Sequence, residues 1–273
     1  MQQTEIRIAP PTSLSPGFSE IWQHRELLYF FVWRDVKVKY KQTYLGILWA
    51  ILQPALLMII FYFVFSRTLN VPVGMNYLVF TLSGLIVWGL FSSGITNSTE
   101  SLLNNSSIIR KIYFPKLLIP LSSLVAALVD FLFAFILLFI LLIALKQKVS
   151  LSSLYFFPAG IVLAFIASFS IGTLLAAFNV KYRDLRYLLP FVIQLLFFGS
   201  QIVYSIAFIN SSWIKPLLYV NPLNGALELF RAPFTAGDLY MPGILISLVS
   251  TCILLLLGLF YFKKTEVYLA DLI

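Results

Sequence analysis

The sequence predicts an all-α polytopic membrane protein with six transmembrane helices. Of its 273 residues, 60% are hydrophobic and only 11% charged, where a soluble domain carries roughly 25% charged residues. The apolar residues gather into six stretches, 45–65, 77–95, 117–145, 154–178, 187–209 and 242–262. Each is close to the roughly 20 residues that a helix needs to cross the hydrocarbon core, and the third and fourth are long enough to tilt. The cations set the orientation. Of the 19 Lys and Arg residues, 14 lie in the N-terminal segment, the loops after spans two and four, and the tail. The positive-inside rule therefore places both termini in the cytoplasm.

Residues 1–23 read as a flexible N-terminus, because Pro10, Pro11, Pro16 and Gly17 break any helix. Residues 24–44 read as an amphipathic helix in the cytoplasmic interface. Its apolar run is too short to span, and Tyr29, Trp33, Val36, Tyr40 and Tyr44 form one stripe at helical spacing. Asp35 and Lys39 lie away from that stripe, Lys37 sits at its edge, and Phe31 and Val38 point elsewhere. The first 44 residues lack the pattern of a cleavable signal, so span one is expected to serve as the insertion signal.

Residues 45–262 form the six-helix domain. Within it, loop 97–115 is the most polar internal stretch, with Leu102, Leu103, Ile108, Ile109 and Ile112 as apolar contact points. It reads either as a short helix that docks on a partner or as a solvated connector. The outer segment 210–241 is too long for a simple connection. Pro216, Pro222 and Pro233 divide it, which predicts two short re-entrant or interfacial helices. Asn221 before Pro222 is a helix start, with Asn as N-cap and Pro as the first helical residue. Glu228 and Arg231, three apart, are spaced to pair. Residues 263–273 are a cytoplasmic tail.

Composition narrows the chemistry. One His and one Cys, His24 and Cys252, cannot build a zinc site, so neither a metal site nor a catalytic residue is expected. No Gly precedes Lys anywhere, which removes a P-loop for ATP. The net charge of +8 is spread between spans and follows topology rather than nucleic-acid binding. Asp130 is the one acid deep inside a predicted span, where an ionised carboxylate costs about 2.5–3.5 kcal/mol on insertion scales. It serves either as a polar group of a pore or gate, or as a hydrogen-bond partner for a neighbouring helix or subunit. Aromatics reach 16%. Many face lipid or the headgroup belts, while Tyr62, Phe65, Phe197, Phe198 and Tyr204 are candidates to line a path for sugar rings.

Four segments occur in a fixed order: TYLGILWAILQPALL entering span one, NNSSIIRKIYFPKLLIPLSSLVAALVDF leading into span three, KYRDLRYLLP before span five, and VNPLNGALELFR on the outer face. Together, over about residues 20–270, they resemble the permease subunits of bacterial ABC-2 type exporters. The nearest branch is the one that exports O-antigen, capsule and teichoic-acid glycans. The resemblance implies a homodimer of this chain in the bacterial inner membrane, paired with two copies of a separate ATPase that carries the ATP and Mg. It implies a polyprenyl-diphosphate-linked polysaccharide as cargo. The coupling contact with the ATPase would fall on loop 97–115, with Glu100, Ile108, Arg110 and Lys111. Cargo access would be flanked by Trp33, Arg34, Lys37 and Lys41, and spans one and five would line the translocation path. The same fold serves other cargoes, such as a lipid or a drug. A membrane enzyme acting on polyprenyl-linked glycans would need clustered acids, and Asp35, Glu100 and Asp184 are scattered.

Overall fold

The computed structural model describes residues 18–41, 45–151, 153–182, 184–209, 211–235 and 239–269. Residues 1–17 of the N-terminal segment expected to be flexible, Tyr44 of the expected stripe and the last four residues of the tail lie outside the described residues, and the described part of that segment, Phe18–Gln23, is helical. The described chain is helical: α1 (Phe18–Gln23), α2 (Arg25–Lys41), α3 (Leu48–Phe61), α4 (Tyr77–Asn104), α5 (Ser106–Ile109), α6 (Leu118–Ala144), α7 (Ser153–Lys181), α8 (Leu185–Phe198), α9 (Ile214–Leu218), α10 (Pro222–Arg231) and α11 (Met241–Glu266). α3 continues without a break into a π-helix, Tyr62–Thr68.

Packing centres on α4 and α7, with α6, α10 and α11 around them. Helices in lipid gain little from burying apolar side chains, so close approach falls to small residues. Gly94 and Gly172 face Ser168 and Ser98 across the α4–α7 contact, and Gly258 of α11 meets the Ser170 carbonyl of α7. The hydroxyls at these contacts stay satisfied without water. Ser168 donates to the Ala164 carbonyl at 2.7 Å, and Ser98 donates to the Pro120 carbonyl of α6 at 2.9 Å.

Among the described residues, five helices are long and apolar enough to span: Leu48–Thr68, Tyr77–Asn104, Leu118–Ala144, Tyr155–Lys181 and Met241–Glu266. The expected fifth span, 187–209, is different. α8 has only 14 residues and ends at Phe198. The chain then turns inward, with Ser200, Gln201, Ile202 and Val203 buried, and makes one 3₁₀ turn at Ile206–Phe208. Hydropathy cannot register this break, because the turn is as apolar as a helix. Polar side chains from α10 supply the partners that the lost helical ladder leaves vacant. Asn224 accepts from the Gln201 N–H at 2.8 Å and donates to the Gly199 carbonyl at 3.0 Å. Arg231 donates to the carbonyls of Gln201 and Ile202. Irregular backbone at this depth is tolerated only against such protein partners.

Segment 97–115 also differs from a loop. Its first eight residues are the last two turns of α4. Ser, Thr and Asn are mediocre helix formers, but here they are held by packing. Thr99 returns its hydroxyl to the Ile95 carbonyl at 2.7 Å, and Asn179 of α7 donates to the Thr99 carbonyl at 2.9 Å. Only α5 and the residues after it remain as a connector.

Among the described residues of segment 210–241, α9 and α10 are the two short α-helices. Asn221 caps α10, its side chain accepting from the Leu223 N–H at 3.1 Å, with Pro222 at the first turn. α10 is buried along most of its length against α7 and α11.

Candidate functional site

α2 follows α6 rather than meeting it at one point. Phe31 packs on Phe114, ring centroids 5.7 Å apart, just ahead of α6. Further along both helices, Lys39 and Tyr40 donate to the two oxygens of Asp130. The face of α2 turned to α6 therefore carries Phe31, Lys39 and, from the predicted aromatic stripe, Tyr40. Tyr29 and Trp33 are exposed, at 65% and 50%. Hydrophobic periodicity missed this face, because a Lys pairs here with Asp130 of the apolar helix α6. Burial, and then the Asp130 carboxylate, raise the pKa of the Tyr40 hydroxyl, so it remains a donor. Asp130 thus bonds to a neighbouring helix, and it also lines a cavity.

Of the other candidate residues of α2, Trp33, Lys37 and Lys41 are exposed and Arg34 is half-buried. Arg34 donates to Asp35 at 2.8 Å and stacks over Phe31 at 5.1 Å. Lys37 stands 4.1 Å over the Trp33 ring, and Lys41 is exposed at the helix end. Glu100 is half-buried on the last turns of α4. Ile108 is half-buried on α5, and Arg110 and Lys111 are exposed just beyond it. Ile112 and Tyr113 extend that surface, both exposed.

The predicted path residues divide into two groups. Phe65 and Phe197 join an aromatic cluster with Phe61 and Trp88, in which Phe197 lies 5.3 Å from Trp88 and 6.0 Å from Phe61. Tyr62 stands apart. The π-helix brings residues five apart onto one face, so Arg67 donates to the Tyr62 hydroxyl at 3.0 Å. Phe198 is exposed, and Tyr204 donates to its carbonyl at 2.9 Å.

A cavity of about 350 Å³ opens between α3, α4 and α6, beside the Lys39–Asp130 pair. Trp49, Gln53, Trp88, Ser92, Ser93 and Phe197 contribute to its wall. A second, polar cleft of about 450 Å³ lies between α2 and the end of α4, lined in part by Asn97, Glu100 and Asn104. Sequence reasoning did not single out Lys39, Tyr40, Trp49 or Trp88 for a site. The one available signal was that the deep acid needed a cation.

The expected Glu228–Arg231 pair does not form. Glu228 accepts from the Tyr219 hydroxyl, and from the Tyr240 N–H at 2.6 Å. Arg231 turns the other way, into the break after α8 and onto Ser83 at 3.1 Å. Spacing of three puts the two on adjoining faces, and each face found a nearer partner.

Comparison with known proteins places this architecture. The ABC-2 type transporter family matches residues 26–235. The chain belongs to that family. Among its relatives is the O-antigen export system permease protein RfbA of Klebsiella pneumoniae, 32% identical over 250 residues, covering 91% of this chain and 95% of the relative. The RfbA of Myxococcus xanthus is 27% identical over 240 residues, covering 87% and 91%. The polysialic acid transport protein KpsM of Escherichia coli is 27% identical over 252 residues, covering 85% and 91%. This ABC-2 family chain is thus a multi-pass membrane component of a transporter.

Proposed function

We propose that this chain is the permease subunit of an ATP-driven exporter that carries a lipid-linked, O-antigen-like polysaccharide across the bacterial inner membrane. The observation that carries this is similarity to O-antigen export permeases along nearly the whole length of both chains. In this reading a separate ATPase binds ATP and Mg and docks on α5 and the exposed Arg110–Tyr113 surface. Its closure moves the end of α4 and, through the cleft, α2. Two copies of the permease face each other, and the cargo, on a polyprenyl-diphosphate carrier, passes between them. The bareness of α3 and the π-helix after it supports a partner surface there: only 6% of the apolar stretch within Leu48–Thr68 is buried within the protomer, against 72% for that of α4. Positive-inside charge supports cytoplasmic termini. Trp33, Arg34, Lys37 and Lys41 of α2 then meet the carrier's diphosphate, which Lys and Arg suit as charged donors.

A deletion strain tests the cargo. Surface polysaccharide is read on a gel beside an extract of intracellular lipid-linked glycan. Loss of the surface form with accumulation of the lipid-linked form is the expected result. If both pools are unchanged, the cargo is another molecule.

A further inference from the structure

The Lys39–Asp130 pair stands at a seam. Lys39 lines both the cavity of about 350 Å³ and the cleft of about 450 Å³, while Asp130 lines only the former. Their bond therefore lies between the two spaces. The cleft offers amides and carboxylate, from Asn97, Asn104 and Glu100. The inner cavity offers a different mixture: the indoles of Trp49 and Trp88, the hydroxyls of Ser92 and Ser93, and the Gln53 amide, set in an aliphatic wall that includes Leu57 and Ile86.

That mixture selects a ligand. Flat aromatic faces match the C–H faces of a pyranose ring, and hydroxyls in many directions need both donors and acceptors. Gln and Ser supply both, Asp accepts and Lys donates. An acyl chain entering here would leave these groups without partners, at a cost for each. Lipid has a better-matched groove elsewhere, where Leu256, Leu257 and Phe260 of α11 form an apolar wall. The volume falls within the usual range for small-molecule sites, about 300–1,000 Å³.

Resting on the polysaccharide reading above, we propose that the inner cavity is a pyranose-binding site for the glycan end of the cargo. The Lys39–Asp130 bond is the partition that the sugar displaces on passing from the cleft. Once displaced, Lys39 and Asp130 donate to and accept from ring hydroxyls.

Photocrosslinking in cells tests this. A benzophenone amino acid replaces Leu57 or Ala50, which line the cavity without a polar role, in the full-length chain expressed with its ATPase and its own glycan. The control position is Ile253 on the exposed face of α11. The expected result is a glycan-bearing adduct at least several-fold stronger from the cavity positions than from Ile253. Lys39→Asp abolishes it, and the charge-swapped pair Lys39→Asp with Asp130→Lys restores it. With the variant chains at wild-type level in the membrane, no adduct from either position, or an equal yield at Ile253, overturns the site. The deletion strain separates the two readings. Lost surface glycan there without cavity adducts sinks the site alone, and unchanged surface glycan sinks the cargo.

Discussion

Arg231 holds Phe80 in two ways: its guanidinium carbon lies 3.6 Å from the ring centroid, and its Nη2 donates to the Phe80 carbonyl at 2.8 Å. The same side chain, 3% exposed, also serves the carbonyls of Gln201 and Ile202 and the Ser83 hydroxyl. One residue of α10 thereby joins α4 to the break after α8. Removing it takes the guanidinium from the Gln201 and Ile202 carbonyls, and a stranded buried acceptor costs about 1–3 kcal/mol, while the Phe80 carbonyl keeps the Ser83 hydroxyl. Arg231→Ala is expected to lose at least about 3 kcal/mol, read as a lower thermal midpoint of the detergent-purified chain. Arg231→Lys recovers only part, because one ammonium cannot reproduce a planar fork.

Glu228 predicts a pH dependence. Burial raises its pKa, against the lowering effect of the hydrogen bonds from Tyr219 and the Tyr240 N–H and of the nearby Lys215 charge. A carboxyl with a raised folded pKa binds its proton more tightly in the folded state. Its contribution to stability is present below the ordinary value, 4.5, and is lost as pH rises through the raised value. The thermal midpoint should therefore decline over that window in the parent chain and decline less in Glu228→Gln. Equal slopes in the two proteins would rule this account out.

Gly160 is where α7 and α10 touch. A Cβ there would stand 2.8 Å from both the Ala226 carbonyl oxygen and the Phe230 nitrogen, and backbone cannot swing aside. Gly160→Val should cost about 1–3 kcal/mol through overpacking. Gly89→Ala meets nothing within 4 Å and serves as the control. Size-exclusion profiles after heating distinguish the two, and a Gly160→Val chain as robust as the control would refute the close contact.

The Arg110 and Lys111 surface is expected to hold the ATPase. Arg110→Glu with Lys111→Glu reverses both charges at exposed positions. Copurification of the ATPase should fall at least tenfold while the permease stays at its normal level in the membrane. Undiminished copurification together with normal export would remove this surface from the coupling contact.

The sequence alone determined what depends on composition and short-range order. Lipid as solvent, the long apolar helices, the charge asymmetry of the loops and the Asn221–Pro222 start of α10 all follow from residues near one another in the chain. The four ordered segments were also enough to point to the family. What the sequence could not determine are partners distant in the chain. Lys39 finds Asp130 91 residues away, and Arg231 finds Ser83 148 residues away. Those contacts decide which face of α2 is buried, where α8 stops and which neighbour Glu228 takes. Hydropathy counts apolar residues and helical spacing places near neighbours, but neither registers a buried polar group. Such a group must have a hydrogen-bond partner, and only the packed tertiary structure determines which helix supplies it.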